Sequence, residues 1–367
     1  MLDIVVKNSS NTPVILNKRK KHINLSNNNT NFSICSFNLF NYIAPPNAYY
    51  DLDNIYSEKQ WNRKERWISQ QLSELAPDIV GFQEVFSPTA LKALVAKQGL
   101  NHFVTVSKPN KRSQYVYESP VVALASRYPI VSADTVKASA HLVRKLGLSP
   151  SFQFSRPPIR AIIQVDDFSR ILVYVVHLKS KRPIMDEREE NTEKQMATTI
   201  LAEVQGRWAS TIQRGTESAV LYHDMVQQTK KSELPVIVMG DLNDTIESEA
   251  LQPLIDCQQL DKLDGKFIGS MTLADRRAVQ RYSLYDAYDI QESPSKEERQ
   301  STHYFANKGS ALDYILMSKD FHHDYDQSLA SVVDYRVSDA HLINPHSIHD
   351  AECSDHAPVM VTVEIRF

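Results

Sequence analysis

Pro235-Val236-Ile237-Val238-Met239-Gly240-Asp241-Leu242-Asn243-Asp244 is the stretch on which the reading of this chain turns. Four apolar residues behind a proline, too short a run for a helix, predict a buried strand that carries its last residues to a sheet edge. Gly240 is expected to let the backbone turn, and three carboxylate or carboxamide side chains follow it within four positions. Such a cluster suits a hydrated cation or an attacking water. Gly-Asp-x-Asn also makes an ordinary exposed turn, so the choice depends on whether other strands end the same way.

Working outward, they do. Residues 32–39 alternate as a strand and deliver Asn38 near its end, where an amide can ligate a hard cation, bond a phosphate oxygen or cap the strand. Residues 61–76 predict a helix with Trp61, Ile68, Leu72 and Leu75 on one face and Arg63, Lys64, Glu65 and Glu74 elsewhere, stopped by Pro77. The strand 78–85 then places Glu84 at its end. Burying an unpaired Glu costs on the order of several kcal/mol, so it needs an arginine, another cation or a metal. Ser87 is expected to cap a second helix with Pro88 at its first position, and Gly99 to end it.

Residues 121–126 and 159–165 read as strands. Residues 171–176 form another, which runs into His177 and the basic tetrad Lys179-Ser180-Lys181-Arg182. His177 is either a structural residue or, with three cations beyond it, part of a phosphate site. Residues 186–231 are helical, with Met196, Ile200, Val204, Trp208 and Ile212 recurring every four positions and Gly215 expected to divide the region into two helices. Residues 311–318 are a strand with Asp313 near its start, and Asp355-His356 opens the last strand. His341, His346 and His349 match no standard zinc spacing and read as surface residues first and as substrate contacts second. Tyr49, Tyr50 and Tyr56 pack down the loop 42–56 or stack on a base.

The bulk composition excludes several classes. Hydrophobic residues at 42% and charged residues at 23% are those of a globular chain. With 41 Lys plus Arg against 44 Asp plus Glu, the net charge of -3 supplies no global field toward nucleic acid or an anionic membrane. A polyanion must be held by a local patch, and Lys18-Arg19-Lys20-Lys21 reads as a solvated arm before it reads as one. Cys35, Cys257 and Cys353 leave at least one thiol unpaired, which favours a reducing compartment. Neither a signal peptide nor an apolar run approaching ~20 residues is visible. The expectation is a cytoplasmic protein without a membrane segment, although a mature secreted chain would read the same way, and no protein partner is implied. The simplest partition is an N-terminal extension, 1–31, ahead of one domain, 32–367, with a helical insertion at about 186–231.

Ser36-Phe37-Asn38-Leu39, Gly81-Phe82-Gln83-Glu84-Val85, Val176-His177-Leu178-Lys179-Ser180, Gly240-Asp241-Leu242-Asn243, Leu312-Asp313-Tyr314-Ile315 and Ser354-Asp355-His356-Ala357-Pro358-Val359 together resemble the endonuclease/exonuclease/phosphatase superfamily, which includes deoxyribonuclease I, exonuclease III, neutral sphingomyelinases and inositol polyphosphate 5-phosphatases. The resemblance implies an α/β fold, a two-sheet α/β sandwich of the deoxyribonuclease I-like kind with helices on the outer faces. It implies Glu84 as the main ligand of a divalent cation, magnesium with manganese as the alternative, with Asn38 and Asp355 completing that neighbourhood. It also implies Asp241 as the residue that orients or deprotonates water, Asn243 as its support, and His356, oriented by Asp313, with His177 against the phosphoryl oxygens. Arg156 resembles a phosphate-gripping position and reads equally as a surface arginine; Lys179 joins it as a substrate contact. The implied activity is that of a metal-dependent phosphodiesterase cleaving DNA or RNA by in-line attack of water. A phosphatase of a small phosphorylated metabolite or lipid headgroup is the alternative, and a catalytically silent binding module the alternative of another class.

Overall fold

The computed structural model of the chain describes residues 31–166, 169–184, 196–255, 272–293, 298–325, 327–328 and 330–366. The basic run at Lys18, residues 1–30 of the N-terminal extension, the start of the helical region before Met196, and Cys257 lie outside the described residues. Two six-stranded sheets pack face to face. The first runs in the order β16 (Ala330–Val337), β17 (Val359–Ile365), β1 (Asn31–Tyr42), β3 (Ile79–Val85), β7 (Val121–Ser126), β4 (His102–Val104). The second runs β12 (Leu284–Asp286), β15 (Asp313–Ser318), β11 (Val236–Asp241), β10 (Arg170–His177), β9 (Ile159–Gln164), β8 (Ile130–Thr135). A small sheet of β2 (Ala48–Tyr49), β6 (Val116–Ser119) and β5 (Asn110–Lys111), and a hairpin of β13 (His303–Phe305) and β14 (Lys308–Ser310), stand apart from them.

The central pair of each sheet, β1 with β3 and β10 with β11, is parallel, and the pairs flanking them are antiparallel. Side chains alternate between the two faces of a strand. On the inner faces Ile34, Ile79, Val173, Val175, Ile237, Met239, Ile315 and Val361 meet in one core. On the outer face of the first sheet, Phe37 and Phe82 pack beneath α1 (Glu58–Leu75) and α2 (Pro88–Ala96). On the outer face of the second, Tyr174, Val176 and Val238 pack beneath α4 (Met196–Lys231); α3 (Ala140–Lys145) lies beside them. This is the two-sheet sandwich with outer helices that the family resemblance implied.

Several local expectations are corrected. Gly240 makes no turn: it lies inside β11 at φ 149°, and a Cβ there would stand 1.9 Å from the carbonyl oxygen of Val176, so the close approach of β10 is what requires glycine. Gly215 does not divide the helical region. A glycine costs a helix about 1 kcal/mol, and the burial of Arg214, Glu217 and Ser218 around it outweighs that. The four-residue apolar repeat of α4 is helical but faces outward, because Gly206, Ser210 and Arg214 form the docked side. Lys64, placed off the apolar face of its helix, and His341, read as a surface residue, are both buried. Lys64 shares the face of Trp61 and Ile68 at helical spacing, and His341 packs its ring on Trp67 and places Nε2 3.1 Å from the carbonyl of His356. His346 and His349 are exposed. At α2 the Ser87 hydroxyl accepts from Ala44 N at 2.8 Å instead of capping the helix.

Candidate active site

Strand parity builds the site. Ile237 and Met239 face inward from β11, so Asp241 does too; by the same count His177 follows Val175 on β10, Asn38 follows Ile34 and Ser36 on β1, and Asp313 precedes Ile315 on β15. Register then puts His177 beside Asp241 and Asp241 beside Asp313 in neighbouring strands. At this end of the sandwich the apolar interior gives way to a layer of polar side chains shared by both sheets.

Asp241 is the centre of that layer and is 1% exposed. Its Oδ1 accepts from Asn243 N at 2.8 Å. Its Oδ2 accepts from Asn38 Nδ2 at 3.1 Å across the two sheets and from Asn243 Nδ2 at 3.2 Å. His177 Nε2 and His356 Nε2 lie 3.4 and 3.9 Å from the same oxygen. Asn243 reaches this position with φ 55°, a left-handed backbone that asparagine tolerates. Burial pushes the Asp241 carboxyl up to about 7, against the opposing pull of His356.

The two imidazoles differ. Burial, with Arg156, His356 and Lys179 nearby, holds His177 well below the usual histidine range, so it is neutral. Burial would lower His356 as well, but Asp313 and Asp241 outweigh it and lift His356 well above that range. Its Nδ1 bonds Asp313 Oδ2 at 2.8 Å, and Asp313 Oδ2 also accepts from Thr302 Oγ1 at 2.7 Å. His356 is therefore the cationic imidazole of the pair. The loop bearing it is fixed by Ser354 Oγ, which donates to the carbonyl of Asn38 at 2.7 Å and accepts from His356 N at 3.0 Å.

Glu84 and Asp355 form a second group beside this centre. Glu84 sits at φ 60° where the register of β3 slips, and its Oε2 accepts from Asn41 N at 2.9 Å. Burial raises the Asp355 carboxyl, and the charge of Glu84 adds to the rise against His356. Asp355 Oδ1 is buried without a hydrogen-bond partner among the described residues. Two neighbouring carboxylates, one with an orphaned oxygen, fit a hard divalent cation, which takes oxygen ligands and retains water. Asn38 is less free to join them, since its Oδ1 accepts from Phe40 N at 3.0 Å while its amide nitrogen serves Asp241. Two mixed clusters, His303 with Asp355 and His356, and Asp241 with Asp313 and His356, also bring ligand atoms within 4.8 Å.

Cations line the rim. Lys179 is pulled down to about 8, by burial first and then by Arg156, with Arg214 and Arg182 adding to it. Arg156 Nη1 donates to the Leu178 carbonyl at 3.3 Å. Both loops hang on α4: Glu217 accepts from Ser155 N and from Lys179 N, each at 2.7 Å, and Arg214 donates to the Lys179 carbonyl at 3.1 Å. No spacing in the sequence announces Arg214 or Glu217, because their partners are distant in the chain. His303 was missed for the same reason; its ring lies 4.8 Å from that of His356.

Comparison with solved structures finds the same architecture. The human Nocturnin catalytic domain with bound sulfate anion aligns at 15% identity over 92% of this chain and 95% of its own, with a TM-score of 0.53. ANGEL2, described as a 2′,3′-cyclic phosphatase, aligns at 12% identity over 93% and 97%, with a TM-score of 0.54. Humanized D. rerio TDP2 carrying 14 mutations aligns at 14% identity over 91% and 98%, with a TM-score of 0.50. At these identities the likeness is one of fold. No curated protein sequence matches the chain. A family model described as the Endonuclease/Exonuclease/phosphatase family matches residues 35–356, and the chain belongs to that family.

Proposed function

We propose that the chain is a divalent-metal-dependent phosphodiesterase that cleaves nucleic acid by in-line attack of water on phosphorus. The observation that carries this reading is the convergence of Asn38, His177, Asn243 and His356 on one oxygen of buried Asp241, beside the Glu84–Asp355 carboxylates. Asp241, with a pKa near working pH, accepts the proton of the attacking water at Oδ2. Asn243 and Asn38 hold that oxygen in place. His356, kept protonated by Asp313, donates from Nε2 to a phosphoryl oxygen or to the leaving oxygen. Neutral His177 completes the wall. A cation held by Glu84 and Asp355, magnesium or manganese, polarises the phosphoryl group when bound.

Two features of the rim favour a polynucleotide over a small ester. Arg156 and Lys179 supply local positive charge that the molecule as a whole lacks. On the β13–β14 hairpin, His303, Phe305 and Lys308 share one face by strand parity, and His303 turns that face toward His356. Phe305, 78% exposed, is then a stacking surface for an unpaired base.

The test is hydrolysis by the purified chain, with and without magnesium, of plasmid DNA, single-stranded DNA, RNA, inositol phosphates, sphingomyelin and bis(p-nitrophenyl) phosphate. Glu84→Gln is expected to abolish turnover, and His356→Ala to cut it about 10²–10⁴-fold, both with unchanged folding. Hydrolysis confined to small esters would move the chain to the phosphatase reading. Silence on every substrate would favour a binding module, and normal activity in either variant would sink the site assignment.

A further inference from the structure

Lys64 stands on the packed face of α1, three residues after Trp61 and three before Trp67, and is 1% exposed. A leucine or methionine would fill the same space without desolvating an ammonium group. The ammonium lies 5.6 and 5.5 Å from the ring centroids of Phe40 and Tyr56, which fix its position. Phe40 precedes Asn41, the residue whose N–H holds Glu84. Burial pulls the Lys64 ammonium down to about 8 against the carboxylates of Asp355, Glu84 and Glu352, which act to keep its proton; the Cys353 thiol, itself raised by burial, carries no charge there. Glu352 already has a partner in Arg63 at 2.8 Å. The carboxylates left to Lys64 are therefore the pair read above as metal donors.

We propose that Lys64 is a built-in countercharge for the Glu84–Asp355 pair, a positioning residue that sets how tightly the site holds its divalent cation. The inference rests on the reading of Glu84 and Asp355 as the donors. Away from water the field of a fixed ammonium is poorly screened, so it acts on both carboxylates at once. In the metal-free chain Lys64 offsets the repulsion between them and keeps the site assembled. When a cation arrives, the same charge opposes it. Aromatic rings and α1 enclose the lysine, so it opposes the cation from a fixed position for as long as it keeps its proton.

Calorimetric titration of magnesium into metal-free protein tests this without reference to turnover. Lys64→Met, which keeps length and apolar contact but removes the charge, is expected to bind magnesium about ten-fold more tightly. Lys64→Arg is expected to stay within about two-fold of the parent, since the charge is retained. The metal-free melting temperature of Lys64→Met should fall, and its rise on saturation with magnesium should exceed that of the parent. Equal or weaker magnesium binding by Lys64→Met overturns the proposal. Glu84→Gln separates the two readings: if it binds magnesium as the parent does, the donor assignment fails, whereas if it does not bind and Lys64→Met matches the parent, only the role of Lys64 fails. Should Lys64→Met not fold, the Nζ resonance of Lys64 in ¹⁵N-lysine-labelled parent protein decides. It is expected to move with the calorimetric midpoint as magnesium is added, and an unmoved resonance overturns the proposal.

Discussion

Asp241 and His356 stand 3.9 Å apart, and both titrate out of their ordinary ranges, the carboxyl near 7 and the imidazole well above the usual histidine. The sign of each shift fixes a pH profile. A protonated Asp241 takes no proton from water, so turnover rises with pH through about 7; it falls again only where His356 loses its proton, well above that. Asp313 raises both groups, through its hydrogen bond to His356 and through its charge on Asp241. Asp313→Asn should therefore slide both limbs of kcat/KM to lower pH on bis(p-nitrophenyl) phosphate. His177→Gln, which replaces an already neutral ring, should lower the rate and leave both limbs in place; a fixed alkaline limb in Asp313→Asn would contradict this division of roles. Asp241, His177 and Asp313 were legible in the sequence because each extends or begins an apolar strand run, and parity does the rest. Which imidazole carries the charge was not legible, since it depends on Asp313 lying 2.8 Å from one ring, and on burial, with Arg156, acting on the other. Lys64 was misread because a lysine between arginine and glutamate counts as polar face until Trp61, Ile68 and helical spacing are weighed together.

Among the elements, α4 does most to connect the outer layer with the site. Arg214, buried, donates twice to Asp244 Oδ2, at 3.1 and 2.8 Å, and once to the Lys179 carbonyl. Glu217 one turn later holds the backbone of Ser155 and Lys179. The helix thus braces the loops of Arg156 and Lys179 directly, and through Asp244 it also holds the residues after β11 that the opening stretch of sequence encodes. Arg214→Met removes one partner of a buried ion pair. Lys181 still reaches Asp244 Oδ1 at 2.7 Å from an exposed position, which places the expected loss at the low end for such breaks, about 3 kcal/mol by denaturant titration. The same variant should raise KM more than it lowers kcat, because it loosens cations at the rim and leaves Asp241 untouched. A stability change below about 0.5 kcal/mol would mean that Lys181 alone satisfies Asp244. The existence of α4 followed from its four-residue repeat, but its orientation did not. A repeat identifies an apolar face without saying whether the rest of the molecule covers it, and here Gly206 approaches Ile184 so closely that the opposite side docks: a Cβ on Gly206 would stand 2.5 Å from the Ile184 carbonyl oxygen.

At the scale of the whole molecule, the strands and the polar residues recurring at their ends were legible one by one, and the two-sheet sandwich followed from the family resemblance that those ends carry. The outward stripe of α4 is the feature that the sandwich itself does not use. Met196, Ile200, Val204, Trp208 and Ile212 are each more than half exposed on it, a larger run of bare apolar side chains than soluble surfaces ordinarily carry. The chain has three tryptophans, and the other two, Trp61 and Trp67, are buried on the packed face of α1. Fluorescence therefore separates the stripe from the core. With Trp208 65% exposed, acrylamide should quench one component of the emission readily and leave a protected remainder. Trp208→Phe should abolish the quenchable component and shift the remaining spectrum to the blue, with stability within about 0.5 kcal/mol of the parent, as for a surface position. If Trp208 resists quenching in the intact chain, and yields to it on dilution, the stripe is covered by a second copy. Resistance that persists at every concentration would place another part of the same chain over α4.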